Sequence, residues 1–288
     1  MKILIIGSDG MLGRELANQL PLLARREKQN FTVITAPHTQ IEITNASNTS
    51  EIITRHMPDV IINGAAFTDV DACETNTDKA YSVNADGAKN VAQAGKNINA
   101  KVIHISTDYV FDGMKNTPYI ETDQTHPLSV YGKSKLAGES AVQEINGNYA
   151  IVRISRLYGV HRSNFVTKIL ALGAEKRSVS VVTDQFGSPT YAADIVPAIW
   201  YIFSLDLRGI YHIANDGFCS WYEWAKKIFE LTNNQVSLHP IKAKDFERAA
   251  AVPQNSSLDC TKFVQMSGYK MRPWQEALEE YLKNYVIH

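Results

Sequence analysis

Short apolar runs recur along the chain at spacings that leave room for a helix between neighbours. They are KILII (2–6), FTVIT (31–35), DVIING (59–64), KVIHIS (101–106), YAIVRIS (149–155), VSVVT (179–183) and GIYHIA (209–214). Most are continuous rather than alternating, which suits strands covered on both faces. Between them lie helical patterns such as MLGRELANQL, DKAYSVNADGAKNVAQAGKN and SKLAGESAVQEI. Strand–helix alternation of this kind predicts an α/β fold with a doubly wound parallel sheet. The runs at 179–183 and 209–214 are expected to add to that sheet. The last third changes character: GFCSWYEWAKKIFELT (217–232) opens with Ser220 three residues before Glu223, a capping-box pattern, and RPWQEALEEYLKN (272–284) is amphipathic. These segments predict a smaller C-terminal lobe over 156–288, interleaved with the sheet of a domain spanning 1–155. The lobe would wall a cleft at the C-terminal ends of the strands, where open α/β sheets bind ligands.

The first strand runs directly into GSDGMLG, with Gly7, Gly10 and Gly13 spaced G-x-x-G-x-x-G at the start of a helix. Glycine permits the tight turn and lets backbone amides approach a pyrophosphate, which a helix N-terminus attracts. A lone glycine pattern is weak, but its place between an apolar strand and an amphipathic helix is the one a Rossmann-type dinucleotide site requires. Asp9 inside the loop would repel a pyrophosphate and is expected to point away. At the end of the second strand, Thr35–Pro37 carries neither a carboxylate for a ribose 2′-hydroxyl nor an arginine for a 2′-phosphate, and His38 follows. The missing carboxylate leans toward NADPH, with NADH still open.

Bulk properties exclude several classes. A formal net charge of −1 gives no electrostatic case for nucleic acid or an anionic membrane surface. No apolar run approaches the roughly 20 residues that span a bilayer. Cys73, Cys219 and Cys260 are odd in number and lack C-x-x-C spacing, which argues against a disulfide framework and for a reducing cytoplasm. The histidines form no H-x-x-H or H-E-x-x-H cluster, so no metal-ligand signature is present.

Chemistry enters at LSVYGKSKLAGES (128–140), where Tyr131 precedes Lys135 by four residues. Such pairs also arise by chance, so the neighbouring segments matter. INGAAFTDVDACE brings the small residues Gly64, Ala65 and Ala66 to the end of the third strand, and HISTDYVFDG delivers Ser106, Thr107, Asp108 and Tyr109 at the end of the fourth. Reducing a ketone with a nicotinamide needs a hydride from the cofactor and a proton for the developing alkoxide. A lysine ammonium on the same helix face favours tyrosinate and is expected to lower the phenol's pKa. It could also reach the ribose. A hydroxyl such as that of Thr107 could fix the carbonyl oxygen. Gly132 costs the helix up to about 1 kcal/mol against alanine. Close approach of the cofactor would account for it.

These segments resemble the extended short-chain dehydrogenase/reductases and, more narrowly, the dTDP-4-dehydrorhamnose reductases. The resemblance runs nearly end to end, through GSDGMLGREL, NGAAFTDVDACE, VNADGAKNVA, STDYVFDG, YGKSKLAGE, NFVTKIL, DQFGSPTYAADI, GIYHIANDG, SWYEWAKKIF and RPWQEALEEYL. It implies reduction of the C4 ketone of a dTDP-6-deoxy sugar with NADPH or NADH, giving dTDP-L-rhamnose. By the resemblance Thr107, Tyr131 and Lys135 form the catalytic trio. Gly7, Gly10, Met11 and Leu12 would hold the pyrophosphate region, Glu42 and Ile43 would lie near the adenine, and Ala65, Ala66 and Thr68 near the ribose, with Tyr131 and Lys135 also on the cofactor. Asp108 and Tyr109 would face the sugar with Val70 nearby, and Asn164 and the loop Gln185–Thr190 would shape the sugar-nucleotide side.

Two departures stand out. Arg156 occupies the place of a tryptophan that packs near the sugar in well-known members, so it is counted among the substrate contacts and raises the question of a different sugar. Ala251 and Val252 precede Pro253 where an arginine is usual, so Arg156 or Arg248 is expected to supply the missing cation. Some members bind Mg²⁺ between subunits. Glu15 matches one such position but reads as a surface helix glutamate, so no metal is assigned, and homodimer formation stays open. A dehydratase would need a glutamate in third place of the Thr107-Asp108-Tyr109 run, and STDYVFDG and RPWQEAL point away from epimerases. The remaining alternatives are a C4 reductase of another nucleotide-linked 6-deoxy sugar and a non-catalytic dinucleotide-binding regulatory subunit like the β-subunit of methionine adenosyltransferase.

Overall fold

The computed structural model describes residues 1–285. Six parallel strands form the central sheet: β1 (Lys2–Ile6), β2 (Thr32–Ala36), β3 (Val60–Asn63), β4 (Lys101–Thr107), β5 (Tyr149–Ile154) and β7 (Gly209–His212). Their order is β7-β5-β4-β3-β1-β2. The order reverses at β1, which lies between β2 and β3, so the crevice for a ligand opens at the C-terminal ends of β1 and β3.

Successive side chains of one strand enter opposite cores, which explains the continuous apolar runs. Ile3 and Ile5 pack with α1 (Met11–Arg26) through Leu12, Leu16 and Leu20, and with Ile195 and Ile199 of α6 (Ala192–Ser204). Leu4 and Ile6 face the other way, toward Ile53 of α2 (Ala46–His56), Val91 of α3 (Gly87–Asn97) and Val142 of α4 (Val130–Ile145). Every residue of β4 is buried.

The lobe has its own core. Val166 and Ile169 of α5 (Phe165–Glu175) meet Trp224 and Ile228 of α7 (Trp221–Leu231) and Leu278 of α8 (Trp274–Tyr285). Ser220 caps α7 in the expected box: its hydroxyl accepts the Glu223 N–H, and the Glu223 carboxylate accepts the Ser220 N–H at 2.7 Å. Lobe and sheet interleave, since α6 and β7 return to the central sheet after α5 has left it.

The run at 209–214 supplies edge strand β7, but the run at 179–183 does not join the sheet. It forms β6 (Ser178–Val182), which pairs in parallel with β8 (Ser237–Ile241) as a separate two-stranded sheet. Val179 and Val181 turn into the lobe core. Apolar composition marks β6 as a strand without saying which partner it meets.

Candidate active site

The chain turns immediately after β1, at Gly7, with φ +76°. A Cβ there would stand 2.7 Å from the Ala65 nitrogen, so the glycine lets the turns after β1 and β3 touch. Helix α1 then begins with no side-chain cap and no acidic residue in its first turn. Its leading N–H groups and the positive end of its dipole suit a pyrophosphate. Asp9 remains on the cleft wall instead of pointing away. The His38 N–H donates to its Oδ1 at 3.4 Å, and Arg162 approaches its Oδ2 at 4.0 Å.

A cleft of about 900 Å³ extends from this turn to the lobe. Gly7, Gly10, Met11, Leu12, Glu42, Ile43, Ala65, Ala66, Thr68 and Val70 all line it. So do Thr107, Asp108, Tyr109, Tyr131, Lys135, Arg156 and Asn164. Gln185 does not. It meets the site through its backbone carbonyl, which accepts from Arg156 Nη2 at 2.8 Å. Asn164 borders the cleft with its amide already committed. It caps α5 through Val166 and Thr167 and donates to the Gly159 carbonyl at 2.8 Å and to Tyr281 Oη at 3.2 Å.

The end of β4 supplies a buried polar floor. The Thr107 hydroxyl donates to Asp108 Oδ1 at 3.0 Å and accepts the Tyr109 N–H at 3.1 Å. Ser155 donates to Asp108 Oδ2 at 2.7 Å. Burial nevertheless pushes the Asp108 carboxyl above the usual carboxylate range. The ring of Tyr109 meets that of Tyr131 edge to face at 5.9 Å.

Lys135 does not act on Tyr131 as its spacing suggested. Its Nζ donates to the Ile105 carbonyl at 2.7 Å, and burial pulls its pKa down to about 8. Burial raises the Tyr131 phenol above its ordinary value, while the neighbouring Thr107 hydroxyl pulls it the other way. In this low-dielectric setting desolvation outweighs the expected lysine effect. Gly132 also has a different cause: a Cβ there would lie 2.2 Å from the Tyr109 carbonyl oxygen. The backbone after β4, rather than a cofactor, requires the glycine. Gly132→Ala is therefore expected to lose about 1–3 kcal/mol of stability from overpacking, seen as a lower urea midpoint at an unchanged slope.

On the lobe side, Arg156 has a left-handed backbone, φ 44°. Its guanidinium lies 3.9 Å over the Trp221 ring and also donates from Nη1 to the Cys219 carbonyl at 2.8 Å. Trp221 thus brings an aromatic ring to the cleft beside Arg156. Arg248 is held by Asp71 at 3.1 Å and sits beside Tyr109, outside the cleft lining. Arg162 does line it, next to the glycine turn. Neither Trp221 nor Arg162 stood out in the sequence, because one begins an amphipathic helix and the other lies in an irregular loop. Glu15 is 4 % exposed rather than on the surface; it accepts from Gln19 at 2.6 Å and lies 3.5 Å from His161 Nε2.

The family described as RmlD substrate binding domain matches this chain over residues 1–287. The chain belongs to that family. Among similar proteins, the spore coat polysaccharide biosynthesis protein SpsK of Bacillus subtilis (strain 168) is 38% identical over 282 residues, 98% of this chain and 97% of that one. The RmlD-family fold is also seen in a solved dTDP-4-dehydrorhamnose reductase from Clostridium acetobutylicum, with a TM-score of 0.93 and 39% identity over 98% of this chain and 99% of that one. A dTDP-4-dehydrorhamnose reductase from Bacillus anthracis, solved in complex with NADP, gives a TM-score of 0.90 at 39% identity, covering 98% of each chain. The Rossmann-type sheet with its added lobe is accordingly the architecture of this RmlD-family chain.

Proposed function

We propose that the protein reduces the C4 ketone of a dTDP-6-deoxy-4-keto-hexose with NADPH, converting dTDP-4-dehydro-L-rhamnose to dTDP-L-rhamnose. One observation carries the reading: Thr107 and Tyr131 meet on the floor of a cleft that continues to the uncapped start of α1. The names of the relatives supply the sugar. The absence of a carboxylate at the end of β2 and the NADP in the Bacillus anthracis structure favour NADPH, with NADH as the second donor.

The nicotinamide supplies the hydride when bound. Tyr131 gives its proton to the alkoxide, and burial keeps that phenol in its acid form across neutral pH. The Thr107 hydroxyl turns from Asp108 to hold the ketone oxygen, and Lys135, which lines the cleft, would hold the cofactor ribose. Glu42 and Ile43, which line the cleft, would hold the adenine, and the lobe over 156–288, described to residue 285, would bind the substrate. Three unpaired cysteines and the lack, among the described residues, of a helix able to cross a membrane favour a cytoplasmic setting.

The test is turnover of dTDP-4-keto-6-deoxy sugars with NADPH and with NADH, followed by nicotinamide absorbance and product identification. No oxidation with any nucleotide keto-sugar would sink the reductase reading. Arg156 favours keeping other nucleotide-linked 6-deoxy sugars in that panel, since a cation borders this pocket where a neutral aromatic was expected. Trp221→Leu is expected to raise KM for the sugar nucleotide about tenfold, the loss of one good aromatic contact, with KM for NADPH unchanged.

A further inference from the structure

Three side chains on the inner side of the Tyr131–Lys135 helix are each 1 % exposed: Asn63 at the end of β3, its register partner His104 on β4, and Lys135 of α4. Asn63 Oδ1 accepts the Ala65 N–H at 3.2 Å. A backbone N–H can only donate, so this contact fixes which end of the amide is oxygen. The other end, Nδ2, lies 3.3 Å from His104 Nδ1 and has only protons to offer. Nδ1 is therefore the acceptor, and the single proton of the neutral imidazole sits on Nε2. That atom lies 3.4 Å from Lys135 Nζ, which also donates to the Ile105 carbonyl at 2.7 Å. A neutral amine has a lone pair to receive the Nε2–H. An ammonium has none and meets it donor to donor.

We propose that His104, oriented by Asn63, is a positioning residue that presents a proton donor to Lys135 and holds its amine back from protonation. The role rests on the proposed function, in which Tyr131 gives the proton and Lys135 holds the cofactor ribose. The chain of contacts begins at the Ala65 N–H, in the turn assigned to the cofactor ribose. Burial works in the same sense, lowering Lys135 to about 8 and His104 well below its ordinary value, so the imidazole stays neutral. The opposing influence is Glu139, one turn on along α4, which favours the ammonium and is itself paired with Arg153 of β5 at 2.7 Å. Tyr131 lies one turn earlier. Asp108 and Cys73 bear on Tyr131 from the neighbouring segments, and burial raises that thiol to about 11, so it carries no charge at neutral pH.

Two measurements on the substrate-free protein decide the matter. In ¹⁵N-histidine-labelled protein, His104 should show a bare Nδ1 and a protonated Nε2, and the opposite tautomer would overturn the proposal without any mutation. The ¹³Cε signal of Lys135, assigned by its loss in Lys135→Arg, then reports the amine's titration. In His104→Leu it should titrate about one pH unit higher, since one net hydrogen bond to the amine corresponds to about one unit. An unmoved or lowered titration would mean that the imidazole packs passively or supports the ammonium. Should that variant not fold, Asn63→Ala replaces it. Without the Nδ2 donor nothing holds Nδ1 bare, so the imidazole proton can move to Nδ1 and Nε2 can accept from Lys135, and the titration should rise there too; an unmoved or lowered titration would again overturn the proposal. Because neither reading uses turnover, its failure is distinct from that of the reductase assignment. A fully active Tyr131→Phe would defeat the proposed proton donor and leave the His104 tautomer untouched.

Discussion

Tyr131→Phe should lower kcat on the order of a thousandfold while leaving the protein folded and the KM for NADPH within about twofold. Phenylalanine keeps the ring, so the edge-to-face contact with Tyr109 at 5.9 Å survives. What disappears is the acidic proton beside Thr107. The phenol is raised by burial, so it stays protonated well above neutral pH, and rate loss in this variant cannot be attributed to a shifted pH optimum. Single-turnover rates at two pH values separate lost chemistry from lost binding. If the variant retained the wild-type rate, another group would have to be the proton donor, and Thr107, whose own proton goes to Asp108, would be the first to examine.

The parts of this site that the sequence disclosed are those set by local rules. A strand, a glycine turn and a helix start are adjacent in the chain, so Gly7, Gly10 and Gly13 could be placed from spacing alone. Tyr131 and Lys135 share a helix face for the same reason. What escaped depends on distant partners. The strand Ser178–Val182 is plain in composition, but its pairing with Ser237–Ile241 depends on the lobe core. Trp221 reaches the cleft only because α7 packs there, and Gln185 is absent from it because its carbonyl turns to Arg156. The electrostatics depart from the spacing rule for a related reason. A tyrosine–lysine pair in water would follow Coulomb's sign, whereas here Lys135 is buried, Tyr131 is half-buried and desolvation dominates.

The largest stability effect should come from Glu139, fully buried one turn beyond Lys135. Its carboxylate takes Arg153 Nε at 3.0 Å and Nη2 at 2.7 Å and also receives the Ser106 hydroxyl. Arg153 is 2 % exposed, lies 5.1 Å over the Phe111 ring, and has no partner at Nη1 among the described residues. Glu139→Ala would leave that guanidinium buried and uncompensated, an expected loss of about 3–5 kcal/mol read from denaturant unfolding. Removing both charges together is a different change. Ion pairs of this kind lose much of their attraction to desolvation, so Glu139→Leu combined with Arg153→Met should recover most of the loss. The double variant also separates folding from chemistry. It restores packing but removes a carboxylate that supports the Lys135 ammonium, so Lys135 should titrate lower than in the wild type even where stability returns. A double variant as unstable as Glu139→Ala would mean that the pair is held for geometry at Ser106 and the end of β4, not merely to cancel two buried charges.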